Sequence, residues 1–256
     1  MTPKSEADRE LTVREKRILY FTIHNYIRAN EPIGSRTISK AFDFDMSPAT
    51  VRNICSDLEE WGYLGQPHTS AGRQPTDKGY RYYINELLKI QEIAARQRER
   101  IVREYNEKLA SLDDILQKTA RLMADVSGHT AVVLYPDRRH VEISRLSLML
   151  DRPDFKDMGQ LREAMGVLEE PARLGEIFRP EPGGPDEVDV KLGRELNQPE
   201  LQEFGVIKAG YHVDDARQGS LGLVGPKRMP YGRLIALVGA VKDAVNSTFR
   251  RMRGVR

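Results

Sequence analysis

Residues 47–77 read SPATVRNICSDLEEWGYLGQPHTSAGRQPTD, and this stretch decides the fold of the N-terminal part of the chain. It opens with Ser47, a good helix N-cap, and with Pro48 at the first helical position, where a missing N–H costs nothing. Apolar residues then recur three or four positions apart, which predicts an amphipathic helix that ends at Gly62. The predicted buried stripe comprises Val51, Ile54, Cys55 and Leu58, and the outward face comprises Ala49, Thr50, Arg52, Asn53 and Ser56.

The second half of the stretch predicts a β-hairpin. Two short extended segments, Tyr63–Gln66 and Gly72–Pro75, flank a loop of small and polar residues. A glycine near the tip lets another backbone approach closely, and the polar side chains offer hydrogen-bond donors. Thr76 is then predicted to cap a further helix, DKGYRYYINELLKI.

Two more helices precede this stretch. Residues 11–30, LTVREKRILYFTIHNYIRAN, carry an apolar stripe at helical spacing, and residues 31–34, EPIG, interrupt it. Ser35 stands where an N-cap would, ahead of a short helix, RTISKAF. The order is helix, helix, helix, strand, loop, strand, helix, which is the order of a winged helix-turn-helix.

This order predicts a DNA-binding surface. In a helix-turn-helix the recognition helix enters the major groove with its N-terminal residues at base edges. Arg52 can form two hydrogen bonds with guanine, and Asn53 can bind adenine or a phosphate. The helix N-terminus at Ser35, with Arg36 beside it, can bind a phosphate oxygen. The predicted DNA contacts are Ser35, Arg36, Ser47, Thr50, Arg52, Asn53, His68, Thr69, Ser70 and Arg73. The alternative is an ordinary solvated helix face and a hairpin tip that touches nothing.

Charge alone does not point to nucleic acid. Charged residues form 30% of the 256-residue chain, the net charge is +2, and residues 1–88 hold twelve basic and twelve acidic residues. The DNA-binding prediction therefore rests on architecture and local placement.

The sequence contains a single cysteine, Cys55, which excludes a disulfide framework. Its longest apolar stretch near the C-terminus, LIALVGAV, is too short to cross a bilayer. The N-terminus has no apolar signal-peptide region, so we expect a soluble, cytoplasmic protein.

The middle of the chain predicts a long amphipathic helix over residues 89–127. No proline or glycine interrupts Ile90 to Val126, and apolar residues alternate spacings of three and four. Two interpretations stay open, a helix docked on its own domain and a helix that also packs against a partner chain. The dimerisation residues predicted by the second are Val102, Leu109, Leu112, Leu116 and Met123.

Residues 128–256 predict an α+β domain that follows a winged-helix domain over residues 1–88. The strand candidates are TAVVLYP, HVEISRLSLML, EVDVKLG, GVIKAGYHV and SLGLVGP. One helix, DMGQLREAMGVLEEPARLGEIF, separates the second candidate from the third, and another runs from Tyr231 to about Arg253. The connections between strands are mostly too short for parallel crossovers, so we expect a mixed or antiparallel sheet with helices on one face.

The chain also resembles a known family, the HrcA heat-inducible transcription repressors. The resemblance is carried by GSRTISK, SPATVRN, DLEEWGYLGQPHTSAGRQPTDKGYRYY, VSGHTAVVLYP, LEEPARL and GSLGLVGPKRMPYGRLIALV, and it extends from Leu11 to about Met252. It implies a winged-helix DNA-binding domain, a GAF-like C-terminal domain and an inserted dimerisation domain. It also implies repression of chaperone operons of the groE and dnaK type by a dimer at an inverted-repeat operator, supported by a GroEL-type chaperonin.

Two departures from the family pattern stand out. Ile54 and Cys55 occupy positions where members commonly carry Glu and Met. Between YPDRRH and VEISRLSLML the chain lacks a long stretch that would hold part of the GAF-like sheet and most of the inserted domain. The resemblance therefore identifies a shortened member, whose mode of dimerisation is open.

The sequence also bears on two rival classes of protein. An enzyme is not expected, because the five histidines show no metal-ligand spacing and neither a nucleophile elbow nor a phosphate-binding glycine motif occurs. We accordingly expect neither a cofactor nor a metal. A winged helix that contacts protein, or a ligand-sensing regulator with a different operator, is the remaining alternative.

Overall fold

The computed structural model describes residues 10–42, 46–68, 71–89, 111–137, 139–150, 157–179 and 187–254. It divides into two compact units, Met1–Glu86 and Leu87–Arg256. Among the helices described, none combines the length and the apolar character that a bilayer-spanning segment needs.

The N-terminal unit has the predicted order of elements. Three helices lead into a two-stranded antiparallel hairpin, the wing, and a fourth helix follows it. The elements are α1 (Val13–Ala29), α2 (Ser35–Ala41), α3 (Pro48–Glu60), β1 (Leu64–Gly65), β2 (Gln74–Pro75) and α4 (Asp77–Lys89). The winged helix-turn-helix predicted from the sequence is therefore confirmed.

Helix starts follow the capping residues, with one exception. Ser47 caps α3 as predicted, and the Thr76 hydroxyl accepts a hydrogen bond from the Gly79 N–H at 3.2 Å. The prediction of Ser35 as a cap is wrong. Gly34 is the N-cap of α2, and its carbonyl accepts the N–H of Ile38 at 3.2 Å, so Ser35 already lies within the helix.

The core of the N-terminal unit is built from the predicted apolar stripes. Helices α1 and α3 pack against each other, and α2 packs against α3. The fully buried side chains are Ile18, Ile23, Ile38, Val51, Cys55, Leu58 and Ile84. Ile54, predicted as a member of the buried stripe, is only partly buried.

The base of the wing lies against the loop between α1 and α2. Ile33 and Arg73 form an antiparallel bridge, with N–O distances of 2.8 and 2.9 Å between their backbones. A Cβ added at Gly72 would lie 2.5 Å from the carbonyl oxygen of Pro32 and from the carbonyl carbon of Ile33. Only glycine permits this approach, because both neighbours are backbone atoms.

The C-terminal unit contains one five-stranded antiparallel sheet. Its strand order is β4-β3-β7-β6-β5, and every neighbouring pair is antiparallel. The strands are β3 (Thr130–Leu134), β4 (Val141–Ser144), β5 (Val188–Leu192), β6 (Phe204–His212) and β7 (Gln218–Pro226). The helices are α5 (Leu112–Ser127), α6 (Met158–Glu169), α7 (Pro171–Ile177) and α8 (Tyr231–Gly254). The predicted α+β class is confirmed.

Helices cover both faces of this sheet, so the prediction of helices on one face is wrong. Phe204 and Val206 of β6 belong to the core cluster that α6 and α7 complete. Tyr211 lies on the opposite face of the same strand, since side chains alternate, and its ring stacks on Phe249 of α8. Helix α5 packs on α8 and β3. The domain is therefore a three-layer arrangement.

Two predicted elements are shorter than expected. The candidate strand over 140–150 pairs only as β4, and a 3₁₀ turn follows at Leu146–Met149. The single helix expected over 157–178 is two helices, because Pro171 starts a new one.

Ser111 is the N-cap of a helix that starts at Leu112. Ser111 adopts φ −141° and ψ 165°, and its hydroxyl accepts a hydrogen bond from the Asp114 N–H at 3.1 Å. The stretch before it, residues 90–110, lies outside the described residues, and with it the predicted contacts Val102 and Leu109. A single uninterrupted helix over residues 89–127 is therefore wrong.

The second half of the predicted dimer stripe lies inside the C-terminal unit. Leu116 and Met123 are both 0% exposed within the single chain, and Leu112 is partly buried. No surface of Leu116 or Met123 is left for a partner chain, so the assignment of these two residues to a dimer interface is corrected. They belong to the intramolecular core, together with Ile115 and Ala120.

Leu116→Ala should destabilise the C-terminal unit by about 2–5 kcal/mol, because it removes a fully buried side chain. Lys118→Ala on the exposed side of α5 is the matched control and should change little. Calorimetry reports the whole chain, and fluorescence of Trp61, the single tryptophan, reports the N-terminal unit. Dissociation of an oligomer without loss of thermal stability would instead place Leu116 at an interface.

Candidate nucleic-acid interface

The outward face of α3 carries the predicted base-contacting side chains. Arg52 and Asn53 are exposed, as are Ala49 and Ser56, while Thr50 is partly buried. The same helix buries Val51, Cys55 and Leu58 completely. The helix therefore separates an apolar face from a face of hydrogen-bonding groups within thirteen residues.

The N-terminus of α3 is held by a compact cap. The Ser47 hydroxyl accepts the Thr50 N–H at 3.1 Å, and the two hydroxyl oxygens lie 2.9 Å apart. Pro48 occupies the first position of the helix. Ser47 and Thr50 thus define where the helix starts, and both lie at the end that a major groove would receive first.

Helix α2 presents a polar surface beside α3. Arg36 and Lys40 are exposed together with Thr37, while Ser35 is partly buried. Arg36 was predicted from the sequence. Lys40 was missed, although its place in the last turn of α2 puts it one helical turn beyond Arg36.

The tip of the wing is shaped by two hydrogen bonds. The Ala71 N–H donates to the His68 carbonyl, and the Gln66 side-chain amide donates to the Ala71 carbonyl, both at 2.8 Å. His68 is exposed. Thr69 and Ser70 lie outside the described residues, so their predicted contacts stay predictions.

The structure places Arg73 differently from the prediction of a phosphate contact. Its guanidinium is bound by the carboxylate of Glu59, with Nε 2.9 Å from Oε1 and Nη2 3.4 Å from Oε2. The Arg73 side chain is only 12% exposed. Because Nε and Nη2 already bind Glu59 and the side chain is mostly buried, the structure favours a positioning role for Arg73 over the predicted phosphate contact. Glu59 was missed, because fourteen residues separate it from Arg73 and no local spacing indicates the pair.

Helices α2 and α3 and the wing expose hydrogen-bond donors and three cations, Arg36, Lys40 and Arg52. Such a surface can bind phosphates and base edges. Among the described residues, no group of three or more metal-ligating side chains occurs.

These features define a winged helix-turn-helix protein with a C-terminal α+β domain. A family model described as the HrcA protein C-terminal domain matches residues 146–235. The heat-inducible transcription repressor HrcA of Caldanaerobacter subterraneus subsp. tengcongensis is 30% identical over 322 residues, which cover 87% of this chain and 92% of that relative. The chain belongs to the HrcA family of heat-inducible transcription repressors.

Two further comparisons agree. The HrcA repressor of Pelotomaculum thermopropionicum is 28% identical over 343 residues, with 95% of this chain and 98% of the relative covered. A crystal structure of a hypothetical protein at 2.2 Å resolution matches with a TM-score of 0.80 and 19% identity, over 94% of this chain and 99% of that one. The latter supports the fold alone.

The chain is shorter than these repressors. Since 95% of 256 residues is about 243, about 100 of the 343 aligned positions in the Pelotomaculum comparison belong to the relative alone. The sequence predicts the missing stretch after His140. At this point the structure has a tight turn, in which the Tyr135 N–H donates to the His140 carbonyl at 2.9 Å and Asp137 accepts the N–H groups of Arg139 and His140. A direct β3–β4 hairpin thus occupies the predicted site of the shortening.

Ser47→Ala should lower the stability of the N-terminal unit by about 1 kcal/mol, because the Thr50 N–H loses its capping oxygen. Ser56→Ala is the matched control on the same helix. Its hydroxyl donates to the Arg52 carbonyl within the helix, so its loss should cost little. Urea unfolding followed by Trp61 fluorescence measures both, and equal midpoints would contradict the capping role.

Proposed function

We propose that this protein is a sequence-specific DNA-binding repressor of heat-shock chaperone genes, and that it acts in the cytoplasm on an inverted-repeat operator. The observation that carries the proposal is the exposed pair Arg52 and Asn53 on the face of α3 opposite its buried stripe. Membership of a family of heat-inducible repressors supports the regulated process. DNA binding requires no catalytic group, and we assign none.

In this proposal each part of the surface has its own task. Arg52 donates two hydrogen bonds to a guanine in the major groove, and Asn53 pairs with an adjacent adenine or a phosphate. Ser35, Arg36 and Lys40 of α2 bind the backbone on one side of the groove, together with Ser47 and Thr50 at the start of α3. His68, Thr69 and Ser70 of the wing bind it on the other.

We further propose that the protein acts as a homodimer and that a GroEL-type chaperonin is a partner. One winged helix binds one half-site, so an inverted repeat requires two-fold symmetry in the protein. With Leu116 and Met123 assigned to the core, the remaining candidates for the dimer stripe are Val102, Leu109 and the partly buried Leu112.

Binding of the purified full chain to an inverted-repeat chaperone operator, compared with scrambled DNA of equal length, tests the function. The affinity should favour the operator at every salt concentration, because base contacts persist when phosphate contacts are screened. Equal affinity for both DNAs, or none, would favour the protein-contact module instead. The balanced charge of residues 1–88 is what keeps that second candidate open.

Arg52→Ala should weaken operator binding by about 1–3 kcal/mol and relax the preference at one base position, since it removes a base contact. Arg28→Ala is the charge-matched control, because Arg28 is an exposed arginine in the last turn of α1. Competition with single-base operator variants measures the preference. An equal loss on operator and scrambled DNA would reduce Arg52 to a phosphate contact.

Static light scattering at micromolar concentration should give the mass of a dimer, and Leu109→Asp should lower it without unfolding the winged helix. The stripe needs an apolar partner surface, and a buried carboxylate opposes it. A monomeric wild-type protein would rule out the dimer. A Leu109→Asp variant that remains dimeric would show that the dimer interface lies on another surface.

A further inference from the structure

We propose that Glu59 and Arg73 form a clasp that fixes the wing to the recognition helix, so that α3 and the wing meet the DNA as one rigid element. Arg73 is then a positioning residue and contacts no phosphate. The inference rests on the proposed DNA-binding function and adds to it a determinant of how the two contacting elements are held together.

The clasp joins elements that are distant along the chain. Glu59 lies in the last turn of α3, and Arg73 directly precedes β2. The two N–O contacts, at 2.9 and 3.4 Å, use both carboxylate oxygens, which gives the pair a defined orientation. The Arg73 and Glu59 side chains are 12% and 24% exposed, so solvent screens the pair only partly.

The backbone of Arg73 is fixed at the same place. Its N–H and carbonyl both pair with Ile33, whose side chain is buried, and Gly72 allows the close approach. Three segments therefore meet at one residue: the end of α3, the base of the wing and the loop before α2. Replacing Arg73 would remove the side-chain link to Glu59 and leave the backbone bridge to Ile33 in place. Such a substitution therefore tests the ion pair separately from the backbone bridge.

The composition of the wing explains why such positioning matters. Between Leu64 and Thr76, Arg73 is the one residue with a permanent charge. With its guanidinium bound to Glu59, the wing offers side chains without a permanent charge, such as His68 and Gln66, to the DNA. Neutral hydrogen bonds weaken steeply when distance or angle departs from the optimum, so their contribution depends on where the wing is held.

Cys55 provides an internal reporter for the clasp. It is the single cysteine, it is 0% exposed, and it lies one helical turn before Glu59. Burial raises the pKa of its thiol to about 11, and the nearby Arg73 guanidinium opposes this rise. The thiol is therefore unreactive while the clasp is closed, and movement of the wing base away from α3 would admit a thiol reagent.

The test uses the full chain and four variants. Arg73→Met keeps an unbranched apolar stem and removes the charged guanidinium, and Glu59→Gln is a nearly isosteric second way to weaken the pair. The combined Glu59→Arg and Arg73→Glu exchange restores an ion pair with reversed polarity. Arg28→Met removes an exposed arginine elsewhere in the same unit and serves as the charge control. Each protein is assayed for the rate of Cys55 modification by an aromatic disulfide and for operator affinity across salt concentrations.

We expect Arg73→Met and Glu59→Gln to speed Cys55 modification by about tenfold, because loss of the pair makes local opening around Cys55 more frequent. Both should lower operator affinity several-fold, with the slope of log K against log salt unchanged. The reversed pair should recover both readouts, and Arg28→Met should change neither.

Three results would overturn the inference. An unchanged rate of Cys55 modification in both single variants would show that the ion pair does not hold the wing base against α3. A salt slope that flattens by about one unit in Arg73→Met alone would return Arg73 to the phosphate contacts. A reversed pair that protects Cys55 without recovering affinity would leave the clasp with a structural role only. Failure of the proposed function is seen separately, as a wild-type protein that protects Cys55 yet does not distinguish the operator from scrambled DNA.

Discussion

Burial of one stripe of helix α3 is the constraint on which the N-terminal unit depends. The core formed with α1 buries Val51, Cys55 and Leu58. Helical geometry then determines the direction in which every other side chain of α3 points. Once those three are inside, Arg52 and Asn53 are outside. The Ser47 cap then fixes which residues form the first turn. The same packing that stabilises the unit therefore creates the surface proposed to read DNA.

This link between core and surface explains what the sequence could predict. Helical periodicity and capping are local signals, and they predicted α3, its start at Ser47 and the exposure of Arg52 and Asn53 correctly. The clasp between Glu59 and Arg73 depends on how the wing folds back on α3, and this is a tertiary contact without a local pattern. A basic residue in a wing suggests a phosphate contact. The structure gives it a carboxylate instead, because an acidic residue from the recognition helix lies within reach.

The C-terminal unit shows the same division. Alternating and continuous apolar runs predicted all five strands, although β4 was predicted too long. Short connections predicted a mixed or antiparallel sheet, and the sheet is antiparallel throughout. The second layer of helices was missed, because periodicity reports that a helix has an apolar face and not which side of the sheet it covers. The break before α5 was missed for another reason. Neither proline nor glycine marks this position, whereas Ser111 and Asp114 form a capping pair at the start of α5.

Lys208 shows how a polar residue is accommodated within a buried strand. It lies in the middle of β6 and is 3% exposed, yet its ammonium group donates to the carbonyls of Ile177 at 3.0 Å and Arg179 at 2.7 Å. Ile177 is the last residue of α7, whose terminal carbonyls the helix itself leaves without a partner, and Arg179 lies two residues beyond it. The lysine thus attaches the second helical layer to the sheet, a role that its hydropathy alone does not indicate.

The most direct test of the central claim is protection of guanine N7 from dimethyl sulfate, since N7 lies in the major groove. The full chain bound to an inverted-repeat chaperone operator should protect guanines in both half-sites, at positions separated by about 10 base pairs or a multiple of that spacing. Protection in both half-sites would place α3 in two successive or symmetry-related major grooves, as the account predicts. Tight binding that leaves every guanine N7 reactive would contradict it, because the exposed face of α3 would then not be the surface that reads the DNA.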